Sequence, residues 1–529
     1  MKPVCLIILD GMGLAPASRG NAVSLAKMPF FNKLITLYPT QSLRASGEAV
    51  GLGYNEPGNS EVGHLNLGAG KIVWQNLPKI DHSVANGDFF KNEVFLEAIE
   101  KARASHSKLH LLGLASNGGV HSSITHLYAL LELCAKNFKA KPRSELSSTT
   151  GEVYLHLFLD GRDTAFNAGL DFLKDVQEKI KKIGVGKIAS LSGRFWAMDR
   201  DNQWSRVEKT YLALTKGEGK NSDNPLKAIE ESYQQKIYDE EFEPTVILEN
   251  NKPVSLISEG DVVIFFNYRA DRARELTGVF VKDEFTGFKR EKIKNLFFVT
   301  MTEYEKGLPV KIAFPKDLIE YPLARIISDL DCFQFHTAET QKYPHVTYFF
   351  NGGKEDPFPK EERILVPSLA IANFADQPEM SAPAVGQKVL EALANDKYSF
   401  IIVNFANPDM VGHTGNLSAV VKCLEALDSM LGEIVPAALA KNWAVLVTAD
   451  HGNAEQMIDV KTGEIDKEHT TNPVPFIVVD KSKEGESLII SLDQLAGMTP
   501  AGILADVAPT ILKIMGIEKP KDMTGISLI

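Results

Sequence analysis

The sequence predicts an α/β fold in two domains, each built on a mostly parallel sheet. Three observations carry that prediction. The apolar runs are continuous rather than alternating, as in Val4 to Leu9 (V-C-L-I-I-L), and such runs suit strands covered on both faces. Helical stretches separate the runs, for example Leu170 to Lys182 and Arg206 to Leu214. The residues that follow the runs also change character along the chain, with Asp and His near both ends and Arg in the middle. At 529 residues the chain exceeds one ordinary hydrophobic core, which again favours two domains.

Taken in order, Val4 to Leu9 ends in Asp10-Gly11. The stretch Asn55 to Leu65 (N-E-P-G-N-S-E-V-G-H-L) begins with a Pro-Gly turn and places Ser60 just before a more apolar segment. Read alone, Ser60 is a helix cap. Then Lys108 to Ala115 leads to Gly118-Gly119-Val120-His121, and Glu152 to Leu159 leads to Asp160-Gly161-Arg162-Asp163. Lys187 to Leu191 leads to Arg194 and then Met198-Asp199-Arg200. Asp261 to Phe266 leads to Arg269 and Asp271-Arg272. Near the far end, Phe400 to Asn404 leads to Asp409 and His413, and Trp443 to Thr448 leads to Asp450-His451-Gly452. Val474 to Asp480 is a further strand with His469 in the loop before it. In open α/β sheets ligands bind outside the carboxyl ends of the strands, where these residues are expected. The simplest organisation is an insertion: a first domain of roughly 1–77 and 315–529, and a second of roughly 78–314. Pro78 and Gly307-Leu308-Pro309 are the candidate crossing signals. Lys139 to Gly151 reads as a solvated surface loop.

The net charge of −11 argues against a nucleic-acid or anionic-membrane partner. The run at the N-terminus is too short for a signal-peptide core, and no apolar stretch is long enough to span a bilayer. Cys5, Cys134, Cys332 and Cys423 are scattered without a C-x-x-C pair, so a reduced, cytoplasmic setting is expected.

Asp10, Asp409, Asp450, His413, His451 and His469 form one candidate cluster. Asp409 and His413 are four apart, so one helical turn puts them on one face. Three strand-end carboxylates gathered together are costly without a cation. Carboxylate, imidazole and hydroxyl donors suit Mn²⁺ or Zn²⁺, and the oxygen share favours Mn²⁺. Two ions about 4 Å apart would clamp a phosphoryl oxygen and ionise a bound hydroxyl, which turns Ser60 from a cap into a nucleophile. Lys342 is a candidate point charge beside the transferring group. Arg162, Arg194, Arg200, Arg269 and Arg272 form the second cluster, with guanidinium forks matched to carboxylate and phosphate. His121 is a further donor, and Asp163 either orients Arg162 or acts as a base. The competing account is a set of surface ion pairs with Asp160, Asp199, Asp201 and Asp271. There is no G-x-x-x-x-G-K-[ST] motif and no dinucleotide fingerprint after a strand, so a small phosphorylated acid is expected rather than a nucleotide.

Several segments together resemble one family: P-G-N-S-E-V-G-H-L-N-L-G-A-G (57–70), L-D-G-R-D (159–163), L-S-G-R-F-W-A-M-D-R-D (191–201), F-N-Y-R-A-D-R (266–272), K-Y-P-H-V-T (342–347), N-P-D-M-V-G-H (407–413), T-A-D-H-G-N-A (448–454) and H-T-T-N-P-V-P (469–475). They look like cofactor-independent phosphoglycerate mutase, of the alkaline phosphatase superfamily. The resemblance runs from Asp10 to the C-terminal M-T-G-I-S-L. It implies an alkaline-phosphatase-like domain carrying an inserted phosphotransferase domain. It also implies interconversion of 3-phosphoglycerate and 2-phosphoglycerate through a phosphoserine at Ser60, with two Mn²⁺ and no 2,3-bisphosphoglycerate. One ion would take Asp409, His413 and His469, and the other Asp10, Ser60, Asp450 and His451. His121, Arg162, Asp163, Arg194, Arg200, Arg269, Arg272 and Lys342 match substrate-binding positions, with Lys342 reaching the phosphoryl group. A monomer whose domains close on the substrate is expected. The segment around Ser144 to Thr150 is longer than the resemblance suggests. A related phosphatase or phosphomutase on another ester would keep the Asp/His/Ser cluster without this arginine set, and a non-catalytic phosphoglycerate- or metal-binding protein would need neither Ser60 nor Lys342.

Overall fold

A computed structural model of the chain describes residues 1–138, 152–459 and 461–529. The loop read at Lys139 to Gly151, with its Ser144 to Thr150 segment, lies outside the described residues. The structure divides into two compact units, Met1–Gln75 with Asp317–Ile529, and Asn76–Lys316. Pro78 is the third residue of the helix Asn76–Asn86, a place where a missing N–H costs nothing because first-turn donors have no partner within the helix. Gly307, Leu308 and Pro309 belong to the second unit.

The first unit is built on an eight-stranded sheet. Its strands run in the order Glu361–Val366, Phe333–Glu339, Tyr398–Phe405, Val4–Leu9, Ala444–Thr448, Val474–Val479, Thr40–Arg44 and Gly502–Ile503. Val4–Leu9 is central and buried at all six positions. It pairs in parallel with both neighbours, Val4 facing Phe400 on one side and Ala444 on the other. Parallel pairing brings the carboxyl ends of Val4–Leu9, Phe333–Glu339, Tyr398–Phe405 and Ala444–Thr448 to one edge. Val474–Val479 runs antiparallel to Ala444–Thr448. The loop that precedes it, with His469, therefore lies at that same edge. Thr40–Arg44 reverses direction once more, so the chain leaving Arg44 toward Ser60 starts there too.

The second unit has a nine-stranded sheet. Leu109–Leu114 sits between Val153–Leu159 and Val262–Phe265, parallel to both. Lys187–Gly193 extends it beyond Val153–Leu159, also in parallel. Successive residues point to opposite faces. Leu109 and Leu111 join Val262 and Ile264 in one buried cluster, while Leu112 and Leu114 join Val263 and Phe265 in the other. Cover on both faces is the physical reason these strands are apolar without alternation. The helices read at Leu170 to Lys182 and Arg206 to Leu214 are present as Gly169–Ile183 and Trp204–Thr215. No helix among the described residues is long and apolar enough to cross a membrane. The four cysteines are unpaired.

Candidate active site

In the first unit, each candidate residue enters from the carboxyl edge of the sheet. Asp10 follows the central strand, and its backbone N–H donates to the Phe405 carbonyl at 3.1 Å. Asp409 lies in the short helix Asn407–Gly412, and His413 closes that helix with its N–H on the Asp409 carbonyl at 3.0 Å. Lys342 follows Phe333–Glu339, with its N–H on the Glu339 carbonyl at 2.9 Å. Asp450 and His451 lie just past Ala444–Thr448 and are fully buried.

Ser60 opens the helix Ser60–Ala69, but it is not the cap. That position belongs to Asn59, whose side chain accepts from the Val62 N–H at 3.0 Å. Because Asn59 takes the capping role, the Ser60 hydroxyl is free for other partners. It lies 3.2 Å from Asp10 Oδ1 and 2.9 Å from His451 Nε2, and it accepts from Lys342 Nζ at 2.6 Å. The N-terminal end of a helix also favours negative charge through its exposed N–H groups and dipole.

Lys342 is buried, with Nζ 2.7 Å from Asp10 Oδ1 and 2.5 Å from Asp409 Oδ2. Burial opposes its charge, but Asp10 and Asp409 more than offset that and hold its pKa above the usual value. Burial likewise pushes Asp10 up, yet the Lys342 ammonium and the His451 ring hold its carboxyl well below the usual range. Asp409 behaves in the same way: burial raises it, while Lys342, His413 and His469 together bring it well below. Burial lowers His451, whereas Asp450, Asp10 and Asp409 raise it to about 10. The pocket therefore has a potential that favours cations.

Two donor groups converge within metal-binding reach: Asp10, Asp450 and His451, and Asp409, His451 and His469. His451 thus belongs to both groups, where the resemblance assigned it to one ion. His413 stands beside the second group, with Nε2 3.1 Å from His469 Nε2 and 3.3 Å from Asp409 Oδ1. Two features of these side chains fit a metal. The Nδ1 atoms of His413, His451 and His469 lie 2.8, 3.2 and 2.8 Å from the carbonyls of Lys467, Gly452 and Gly58. Donation there leaves each Nε2 as the nitrogen with a lone pair to offer. In addition, Asp450 Oδ2 is buried and accepts no hydrogen bond, an orphaned oxygen of the kind a cation satisfies.

Three buried residues outside the expected set support this cluster. Asn404 Nδ2 donates to Asp10 Oδ2 at 2.7 Å and to His64 Nε2 at 3.0 Å. That leaves His64 Nδ1 as a donor, and its N–H goes to the Ser60 carbonyl at 2.9 Å; Asp450 Oδ2 is 3.1 Å from the same nitrogen but receives no hydrogen bond from it. Asn453 Nδ2 donates to Asp409 Oδ1 at 3.3 Å. A sequence signal existed for Asn404, a polar residue closing an otherwise apolar run. His64, one turn after Ser60, is equally consistent with a solvated helix face, and only its burial distinguishes the two.

In the second unit the arginines also gather at the carboxyl edge. The register Leu159–Gly193 sets Asp160 beside Arg194. Arg194 is almost fully buried, and Nη1 donates to Asp160 Oδ1 at 2.6 Å and Asp163 Oδ2 at 2.5 Å. Burial opposes the Arg194 charge, and these two carboxylates raise its pKa in spite of it. Asp163 therefore holds Arg194, not its neighbour Arg162, which instead lies 3.5 Å from Glu240. Arg200 and Arg269 pair with Asp271 at 3.3 and 3.1 Å, and Arg272 donates to the Met198 carbonyl at 3.0 Å. His121 has Nδ1 3.5 Å from Asp271 and Nε2 4.0 Å from Asp163. Burial and then Arg194 lower His121 to about 4. Arg272 is lowered first by burial, then by Arg200, Arg194 and Arg162. That mutual repulsion among guanidinium groups marks a surface suited to an anion. Some of the pairs foreseen as surface ion pairs do exist, but they converge on one edge rather than scattering.

Fold and site together define a two-unit α/β protein with a binuclear metal-competent cluster in one unit and an arginine-rich anion surface in the other. Comparison with known proteins narrows that class. Residues 80–306 match the family described as BPG-independent PGAM N-terminus. The 2,3-bisphosphoglycerate-independent phosphoglycerate mutase of Clostridium beijerinckii is 48% identical, over all of this chain and 99% of that protein. The protein of the same name from Thermomicrobium roseum is 47% identical over 99% of this chain and 98% of its own length. Among solved structures, the Leishmania mexicana phosphoglycerate mutase is 29% identical with a TM-score of 0.54, over 99% of this chain and 97% of that one. This chain belongs to the 2,3-bisphosphoglycerate-independent phosphoglycerate mutase family.

Proposed function

We propose that the protein is an isomerase that interconverts 3-phosphoglycerate and 2-phosphoglycerate, without 2,3-bisphosphoglycerate, through a phosphoserine at Ser60. The observation that carries this reading is the Ser60 hydroxyl at a helix N-terminus, 2.6 Å from a buried ammonium and within reach of two metal-competent donor groups. A binding protein has no use for a nucleophile so placed, and the name its relatives carry supplies the substrate.

Asp409, His413 and His469 would hold one divalent ion, and Asp10, Ser60, Asp450 and His451 the other. Mn²⁺ suits this mixture of oxygen and imidazole donors, and the Leishmania structure named above was described at low cobalt concentration. Bound there, the ions would supply Lewis acidity, favouring ionised Ser60 and offsetting charge on phosphoryl oxygens.

The chain's own residues do the rest. Ser60 Oγ attacks phosphorus, so the Oγ–P bond forms as the bond from phosphorus to the glycerate oxygen breaks. The hydroxyl proton, directed at Asp10 Oδ1 3.2 Å away, would leave to solvent as Ser60 takes up its ion, because His451 Nε2 is then committed to the metal. Lys342 Nζ, already on Ser60 Oγ, offsets charge on the equatorial oxygens. In the second unit Arg162, Arg200, Arg269 and Arg272 hold the acid's carboxylate, and His121 donates to a phosphate oxygen. Asp163, held by Arg194, passes protons at the glycerate hydroxyls. The other hydroxyl then takes the phosphoryl group back from Ser60. A single chain in a reducing cytoplasm suffices for this chemistry.

The test is an acid quench of enzyme mixed with 3-phosphoglycerate and Mn²⁺, followed by peptide mass spectrometry. Phosphate on the peptide containing Ser60 is expected. Turnover with no phosphopeptide at any time point would remove the covalent step.

A further inference from the structure

The metal-competent residues reach their site from separate loops, and one buried carboxylate ties three of those loops together. Glu455 is only 2% exposed and stands five residues beyond Asp450. Its Oε2 accepts from the backbone N–H of Gly13 at 3.0 Å and of Asn453 at 2.9 Å. Its Oε1 accepts from Asn472 Nδ2 at 3.0 Å and from the Thr470 hydroxyl. Gly13 follows Asp10 by three residues, Asn453 follows His451 by two, and Thr470 adjoins His469. Asn453 is also the residue whose side chain donates to Asp409.

The backbone makes room for this carboxylate. A Cβ on Gly13 would stand 2.4 Å from Glu455 Cδ and Oε2, and one on Gly452 would stand 2.4 Å from Oε1. Neither glycine can carry a side chain while the carboxylate keeps its place. The two oxygens together take four hydrogen bonds, two from backbone and two from side chains, so the buried charge is well satisfied. Further backbone bonds stitch the same loops, from Ala454 N to the Gly11 carbonyl and from Thr470 N to the Gly452 carbonyl, both at 3.0 Å.

We infer that Glu455 is a positioning residue, a carboxylate clasp that sets the spacing of Asp10, Asp450–His451 and His469 and so fixes the affinity of the site for divalent metal. The inference rests on the metal reading above. Outer residues that orient metal ligands typically cost 10–100-fold in metal affinity when changed. Glu455→Gln keeps the shape but presents an amide N–H₂ to donors that need an acceptor. One pair of its four bonds is then lost, and the loops drift apart.

The experiment is calorimetric titration of Mn²⁺ into the metal-free full-length chain, for wild type, Glu455→Gln and Asn472→Ala, alongside near-ultraviolet circular dichroism and melting. We expect Glu455→Gln to keep its dichroism while Mn²⁺ affinity falls by about 10–100-fold. Asn472→Ala removes a single clasp bond, so it should weaken Mn²⁺ severalfold even if Glu455→Gln does not fold. A purely structural role would lower the melting temperature and leave the affinity of the folded chain alone. Wild-type affinity in both folded variants, or in Asn472→Ala alone should Glu455→Gln not fold, overturns the clasp while the metal reading stands. A wild-type chain that takes up no Mn²⁺ overturns the metal reading, and the clasp with it.

Discussion

Lys342→Met removes one positive charge from the buried cluster while keeping most of the side-chain volume. In the wild type its ammonium stands 2.7 Å from Asp10 Oδ1 and 2.5 Å from Asp409 Oδ2, at 4% exposure of the residue. Removing one partner of a buried ion pair costs about 3–5 kcal/mol, because the remaining charge stays out of water. Here two carboxylates lose their cation together. Unfolding entropy is near 2.1 cal/mol/K per residue, so for the roughly 290 residues of the first unit the loss corresponds to about 5–8 °C in Tm. Bound metal offsets the same carboxylates, so the deficit should shrink in the Mn²⁺-loaded protein. Acid should shrink it as well. Lys342 holds the carboxyl pKa values of Asp10 and Asp409 down, and depressed carboxylate pKa values give stability that is present above the ordinary Asp pKa of about 3.9 and lost as pH falls below it. The assay is differential scanning calorimetry of both proteins, metal-free and loaded at pH 7, and metal-free at about pH 3. An equal Tm deficit with and without Mn²⁺ at pH 7 would refute the electrostatic reasoning.

Ser60→Ala should lose all turnover and phosphopeptide while binding Mn²⁺ within about tenfold of wild type; wild-type turnover would take Ser60 out of the mechanism. Arg269 is half exposed and, among the described residues, its ion pair is with Asp271. Arg269→Ala should therefore raise KM by about 10–150-fold, the worth of a hydrogen bond to a charged group, with Tm within about 1 °C; an unchanged KM would take Arg269 out of the anion surface. In the second unit, His110 and His156 form a buried chain, His110 Nδ1 lying 2.9 Å from His156 Nε2, and His156 Nδ1 2.8 Å from Ser190 Oγ. Burial, first among the causes, lowers both pKa values. The folded state then binds fewer protons than the unfolded chain, so stability is full above about pH 6.5 and is lost below it, by about 1.4 kcal/mol per pH unit for each histidine. His156→Asn should flatten that acid slope in denaturant titrations between pH 6.5 and 5.5, and a wild-type slope would show that His156 does not contribute.

The parts of the fold that depend on burial were legible in the sequence, and those that depend on strand direction were not. Val4–Leu9, Tyr398–Phe405 and Ala444–Thr448 announce themselves because both faces of a parallel sheet are covered, so no polar residue interrupts them. Glu361–Val366 (E-E-R-I-L-V) is an edge strand with exposed positions and carries no such signal. The direction of Val474–Val479 is likewise absent from its composition, yet being antiparallel is what brings His469 to the metal-competent edge. Ser60 shows a local ambiguity. Asn59 and Ser60 are both good caps, and composition alone does not decide which one the helix uses. Asp163 shows a longer-range one. Arg162 is adjacent in sequence, but the pairing of Val153–Leu159 with Lys187–Gly193 delivers Arg194 instead. Glu455 escaped notice because a carboxylate after a glycine-rich turn is ordinarily solvated. Its importance appears only once the loops of Gly13 and Thr470 are seen to fold onto it.

The most direct test of the account is phosphorus NMR of the purified chain with 3-phosphoglycerate and Mn²⁺, with no bisphosphoglycerate present. The account predicts that a 2-phosphoglycerate signal grows to a stable ratio with the substrate, and that chelator stops it. Growth of inorganic phosphate alone would contradict it, since water rather than glycerate would then be taking the phosphoryl group from Ser60.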